Sequence, residues 1–140
     1  MINKIIDGIS IALNAEFGDA YKIYTENVEQ GLKEPCFSIV CVSPNNTHFM
    51  GKKYFRQNKF CVHFFPSSDE KVAECMDVLD RLYECLEIIK VDGEETLGTK
   101  MTGEMDSGVL SFLVNYDMFM VKVEDQSQME SLNISQSMKG

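Results

Sequence analysis

Residues 59–66, KFCVHFFP, alternate strictly along the chain. Phe60, Val62 and Phe64 fall on one side, Lys59, Cys61 and His63 on the other, and Pro66 closes the run. A period of two is the pattern of a strand with one buried face. Such a face must be covered by another layer. Two stretches of helical spacing supply the cover. Ile2, Ile5, Ile6, Ile9, Leu13 and Phe17 form the first apolar stripe, with Gly18 as its C-terminal stop. Val72, Cys75, Met76, Leu79, Leu82, Tyr83 and Leu86 form the second, with Glu74, Asp77, Asp80, Arg81, Glu84 and Glu87 on its wet side.

The remaining segments read as extended. Tyr21–Thr25 suits a short strand, and Glu26–Glu34 a polar turn. Pro35 leads into CFSIVCVS, closed by Pro44-Asn45-Asn46. A second extended run covers 51–65 and would pair with the first as an antiparallel hairpin through Pro44–Met50. Ser67 and Glu70 have capping-box spacing, so the second helix is expected to start at Ser67 and to stop before Val91-Asp92-Gly93. Asp77 and Arg81 stand at i,i+4 on it. A weak strand over 96–102, a turn over Gly103–Gly108 and a strong strand over 109–121 follow. The strong strand puts Leu110, Phe112, Val114, Tyr116 and Met118 on one face, and Ser111, Asn115 and Asp117 on the other. The expected class is α+β in the order α-β-β-β-α-β-β, one mostly antiparallel sheet with both helices on one face. Residues 1–121 would be the domain. Residues 122–140 are polar, with scattered Met129, Leu132 and Ile134, and read as an arm or tail.

Charge is segregated. Residues 35–68 hold no acid, four cations (Lys52, Lys53, Arg56, Lys59), both histidines and half of the aromatic residues, in a chain of net charge −9. A pI near 4.6 argues against phosphate as the partner of the whole molecule. A basic aromatic band on an acidic body suits contact between copies or with an acidic partner. The competing reading of 52–65 is a single-strand nucleic-acid module, with cations along the backbone and Tyr54 and Phe55 stacking bases.

Chemistry is weakly signalled. His48 has no partner recognisable in sequence. Cys36, Cys41, Cys61 and His63 could meet across a hairpin as a zinc site, but they lack the close pairs of knuckle turns. Five cysteines without CxxC spacing read better as packing thiols of a reduced, cytosolic protein. Glu94-Glu95 and Glu104/Asp106 read as exposed turn acids. Gly98-Thr99-Lys100 lacks the upstream glycine of a phosphate loop. No apolar run is long enough to span a membrane, and residues 1–20 lack signal-peptide features. No catalytic residue, metal or cofactor is expected.

The run PCFSIVCVSPNNTHFMGKKYFRQNKFCVHFFPSSDEK, the helix after it and GVLSFLVNYDMF resemble the tail terminator (tail completion) proteins of Gram-positive prophages and phage-tail-like particles. The resemblance covers about residues 1–121. It implies a small α+β subunit forming a hexameric ring on the head-proximal end of the tail tube. Its partners would be its own copies, the tube protein, a neck or head-completion protein and, in a contractile particle, the sheath. DNA would meet it only in passing through the lumen. It implies assembly in the host cytoplasm and residence in the virion or tail-like particle. The family supplies no transferable residue motif. The interface candidates are read from this chain: Phe49, Lys52, Lys53, Tyr54, Phe55, Arg56 and Lys59 on the hairpin; Asp77, Asp80, Glu84 and Glu87 on the acidic helix face; Met129, Leu132 and Ile134 in the tail.

Overall fold

The computed structural model describes residues 1–25 and 33–121. The elements run α1 (Ile2–Phe17), β1 (Lys22–Tyr24), β2 (Cys36–Cys41), β3 (Asn45–Met50), β4 (Lys53–Gln57), β5 (Lys59–Phe65), α2 (Lys71–Cys85), β6 (Ile88–Val91), β7 (Glu94–Leu97), β8 (Thr99–Asp106), β9 (Val109–Asn115) and β10 (Met118–Val121). The class is α+β, as the patterning predicts. The main sheet has the order β1-β2-β5-β9-β8, antiparallel except at β1–β2.

The alternation in β5 sets the core. Phe64 lies opposite Phe37 and Leu110, and Val62 opposite Ile39 and Phe112, so one face of three strands is continuously apolar. Both helices cover that face. Phe17 of α1 stacks on Phe37 at 4.9 Å, and Tyr83 of α2 meets Phe112 edge-on at 5.5 Å. Ile5, Ile9, Leu13, Leu82 and Leu86 are fully buried beneath them. Gly8 lets α1 approach β6, because a Cβ there would sit 2.6 Å from the Lys90 carbonyl oxygen.

The expected single sheet is corrected to three. Each long extended segment breaks where a polar residue interrupts it. The run 51–65 breaks at Asn58, and the run 109–121 at Tyr116-Asp117. The outer halves leave the main sheet and form a separate ribbon, β10-β4-β3. Buried hydrogen bonds tie the two breaks together. Asn58 Nδ2 donates to the Tyr116 carbonyl at 3.0 Å, the Tyr116 amide to the Asn58 carbonyl at 2.9 Å, and the Asn58 amide to Asp117 Oδ1 at 3.2 Å. Pro44–Met50 is therefore not a plain connection, because Asn45–Met50 is itself strand β3.

The third sheet is the hairpin β6–β7, in a stretch expected to be helical as far as residue 90. Helix α2 ends at Cys85. Ile88, Ile89 and Val91 are β-branched, and Asp92 and Gly93 both take positive φ (55° and 85°), the backbone of a two-residue hairpin turn. Ser107 and Gly108 do the same (54° and 80°), shortening the expected 103–108 turn to two residues.

The expected capping box is replaced. Helix α2 starts at Lys71, and Glu74 reaches back to accept the amides of Ser68 (2.9 Å) and Ser67 (3.2 Å). Burial alone would raise the Glu74 pKa, but these bonds and Lys71 outweigh it and hold the carboxyl below its usual value. A lowered folded pKa stabilises above the unfolded value and is lost as pH falls through the folded one. Glu74→Gln should cost about 1 kcal/mol at neutral pH. Urea titrations of variant and parent should converge as the pH is lowered below about 4. Arg81 does not pair with Asp77. It donates to the Glu16 carboxylate and to the Glu16 carbonyl, both at 2.8 Å, and lies 4.2 Å above the Phe17 ring, joining α2 to α1.

Candidate interface around the β3–β4–β10 ribbon

The register decides which side chains the ribbon presents on each face. Phe119 of β10 lies opposite Phe55 of β4, and Val121 opposite Lys53. On the other face Met120 lies opposite Tyr54, which faces His48 of β3, and Met118 lies opposite Arg56, which faces Asn46. Phe55 and Phe119 stack at 4.9 Å, and Tyr54 packs on His48 at 5.1 Å. The two aromatics expected to be free for stacking on bases are already engaged within the ribbon. His48 belongs to β3 rather than to a loop, and its Nε2 donates to the Gly51 carbonyl at 2.7 Å.

The structure gathers Lys53, Tyr54, Phe55 and Arg56 on β4, with Lys52 in the turn before it and Lys59 at the start of β5. Only the backbone of Phe49, within β3, belongs to the described part; Met129, Leu132 and Ile134 lie outside the described residues. Asp77, Asp80, Glu84 and Glu87 are exposed, the last beyond the end of α2. Sequence reading missed Phe119, which is 63% exposed and is the most exposed aromatic side chain among the described residues of the ribbon. Its signal was available: once Met118 is placed inward, Phe119 must point the other way.

Three hollows lie on the basic side of the ribbon root, and a fourth, about 380 Å³, lies between β10 and β7 with Glu94, Glu95 and Asp117 among its lining. The first, about 320 Å³, is lined by Ile2, Pro44, Asn45, Asn46, Arg56 and Asn58. A second, about 230 Å³, shares Asn46 and Arg56 with it and adds Tyr54 and Met120. The third, about 240 Å³, shares Asn45 and adds Ser43, Gln57, Lys59, Lys100 and Asn115. Among the described residues no acid lines these three. Asp117, at the break after β9, accepts from the Asn58 amide and from Asn115 Nδ2. Asn58 and Asn115 are buried, and each keeps an Oδ1 acceptor without a partner among the described residues.

The cysteine–histidine set does not converge. Cys36, Cys61 and His63 point to the sheet face away from the helices, while Cys41, of opposite parity to Cys36, lies opposite Phe60 on the core face. His63 Nδ1 lies 3.1 Å from Ser111 Oγ and 3.8 Å from Cys61 Sγ. Burial lowers the His63 pKa and raises that of Cys61. Desolvation raises the other four thiols as well, Cys85 to about 12. None is poised as a thiolate nucleophile at neutral pH. Glu94-Glu95 and Glu104/Asp106 stand exposed on β7 and β8 rather than in turns.

The arrangement is one of surfaces rather than of reacting groups. The family model of the phage tail terminator protein matches residues 4–128. The chain belongs to the phage tail terminator family. The matched span includes all three sheets, all of α2 and all but the first two residues of α1. No curated relative matches the chain. Tail terminators are structural components of the phage tail, part of the virion, and associate with other tail proteins. No described helix is long and apolar enough to cross a membrane.

Proposed function

We propose that this tail terminator forms a ring, of six copies, on the head-proximal end of a tail tube. The ring stops tube polymerisation and presents a docking surface to a neck or head-completion protein. In a contractile particle it also touches the last sheath ring. DNA passes through its lumen without being gripped by the ribbon. The subunit does no catalysis and needs no cofactor. It assembles in the host cytoplasm and stays at the head-proximal end of the particle.

The observation that carries this reading is the ribbon itself. It joins Lys52, Lys53, Arg56 and the neighbouring Lys59 to an exposed Phe119, in a family member whose remaining surface is acidic. A closed ring needs two different, matched patches on each copy. The ribbon is one, and the Asp77, Asp80, Glu84 and Glu87 stripe of the next copy is the other. Charge sets register and encounter rate, while Phe55 and Phe119 supply apolar area. Phe49, Met129, Leu132 and Ile134 remain sequence candidates for the same contacts.

The test is polymerisation of the cognate tube protein with and without this chain, viewed by negative-stain electron microscopy. Tubes of limited length with a terminal ring are expected in its presence, and overlong tubes in its absence. Equal, unlimited lengths in both, with the added protein sedimenting as monomer, would overturn the proposal. Phe119→Asp should give intermediate lengths, because it removes an apolar anchor without touching the core.

A further inference from the structure

The main sheet ends in two open edges of unlike chemistry. Among the described residues β8 pairs only with β9, and β1 only with β2. An unpaired strand turns a row of N–H and C=O groups toward solvent. Beside β8 the helical cover is unfinished. Helix α2 runs the length of that strand: a Cβ at Gly108 would meet Lys71, one at Gly103 would meet Leu79 at 2.6 Å, and one at Gly98 would meet the Leu86 carbonyl. Val72, Met76, Leu79 and Tyr83 stand at i, i+4, i+7 and i+11, so they form one flank of α2, on the β8 side. Val72 is 64% exposed, and Met76 and Tyr83 are exposed as well. Met101 and Met105, on the core face of β8, are only partly buried. Helix flank and strand edge make an apolar shelf with open backbone along one side. The opposite flank of α2 is taken, because Arg81 there holds Glu16 of α1.

The shelf fits an added strand that is apolar on its core side and cationic on the other. Its core side would continue the Met101–Met105 row. Its other side would lie beside Glu104 and Asp106, which are exposed and in no ion pair among the described residues. Among the described strands with an open edge, β1 alone fits. Ile23 lies opposite Phe37, on the core face, and Lys22 opposite Cys36, on the other. Lys22 is exposed and has no ion pair among the described residues either. Strand β7 carries Glu94 and Glu95 and would repel the β8 acids. Strand β10 has no charge, and it lines a hollow against β7 of its own subunit. Strand β3 is mostly polar and has no lysine or arginine. Strand β6 is closed by α1, whose Gly8 packs on the Lys90 carbonyl. A second β8 would set Glu104 and Asp106 against the same acids. Direction agrees as well. Within one sheet β1 runs antiparallel to β8, so a copy that continues the sheet meets β8 antiparallel. The two edges are opposite ends of one sheet, so the contact repeats head to tail, as a ring requires.

We propose that β1 of one copy adds to the open edge of β8 in the next, with Ile23 on the Met101–Met105 row, Lys22 beside Glu104 and Asp106, and the Val72–Met76 flank of α2 covering the joint. This rests on the ring reading and gives its contact a backbone component. Helix α2 stays on the receiving copy, where its apolar flank joins the acidic stripe.

The test follows the full-length protein by analytical ultracentrifugation, alone and with tube protein, and by amide hydrogen exchange of the assembled form. Lys22→Glu should weaken self-association about tenfold, as should Val72→Asp and the pair Glu104→Lys with Asp106→Lys. Thermal melts of all three should match the parent, because the four side chains are exposed and in no internal ion pair among the described residues. The chain carrying Lys22→Glu, Glu104→Lys and Asp106→Lys together should recover assembly to within about threefold of the parent. Amides of 22–24 and 99–106 that exchange freely in the monomer should slow on assembly. Parental assembly in Lys22→Glu or in Val72→Asp overturns the edge contact while leaving the ring intact. So does unchanged exchange of both strands in an assembled ring, or failure of the three-fold variant to recover although it is folded. A parent that stays monomeric beside tubes of unlimited length overturns the ring reading, and the contact with it.

Discussion

Phe112→Ala is expected to lower the unfolding free energy by about 3–5 kcal/mol, the usual cost of truncating a fully buried aromatic side chain. Phe112 sits on β9, a central strand, opposite Val62 on one side and Gly103 on the other, beneath the Tyr83 ring. Neighbours on a sheet held on both sides cannot slide in to fill the space. With total stability of roughly 5–15 kcal/mol for a domain, the variant loses about a fifth or more of it. At this chain length that is a fall of roughly 10–15 °C in Tm. Differential scanning calorimetry of both proteins checks it; a fall under about 3 °C would mean that the core relaxes around the gap. Ile11→Ala is the control, since a side chain that is 70% exposed should barely move the midpoint.

Gly98→Ala should rival that loss although it adds only one methyl group. A Cβ at residue 98 would lie 2.7 Å from the Leu86 carbonyl oxygen, 3.0 Å from Val114 Cγ2 and 3.1 Å from Tyr116 Cε1. Two of these are buried side chains and one is backbone, so none is a flexible end that can yield cheaply. The Leu86 carbonyl is also the acceptor of the Tyr116 hydroxyl at 2.6 Å, and the Gly98 amide donates to the Glu87 carbonyl at 2.6 Å. The end of α2, the β7–β8 link and the end of β9 therefore share one knot. Overpacking it should cost about 2–3 kcal/mol. Tyr116→Phe, which only orphans the Leu86 carbonyl, should cost about 1–3 kcal/mol. The double variant should lose less than the sum, because both changes act on the same carbonyl. Strict additivity in urea titrations would show that the two groups act independently.

Gly98 shows why part of the molecule was legible in sequence and part was not. The string Gly98-Thr99-Lys100 could be examined only for a phosphate loop, which it is not. Its role comes from Leu86 and Tyr116, neighbours far away along the chain. Asn58 and Asp117 are similar. Each interrupts a long extended run, and sequence weighed the run more heavily than the interruption. The missed hairpin at 88–97 is different, because Asp92-Gly93 between β-branched residues was a readable turn signal. The helical stripe through Leu86 masked it.

By itself the sequence determined the α+β class, the inward faces of β5 and β9, both helical stripes and the concentration of cations in 35–68. These follow from local periodicity and composition, which each segment carries alone. The tertiary structure decided that two long strands break and cross from the main sheet into a separate ribbon. It also decided that Tyr54 and Phe55 are packed rather than free, and that Arg81 serves Glu16. Last, it brought Lys100 and Asn115 to the basic root of that ribbon. Those outcomes depend on which distant groups satisfy buried amides and carbonyls, and that pairing exists only once the chain has closed on itself.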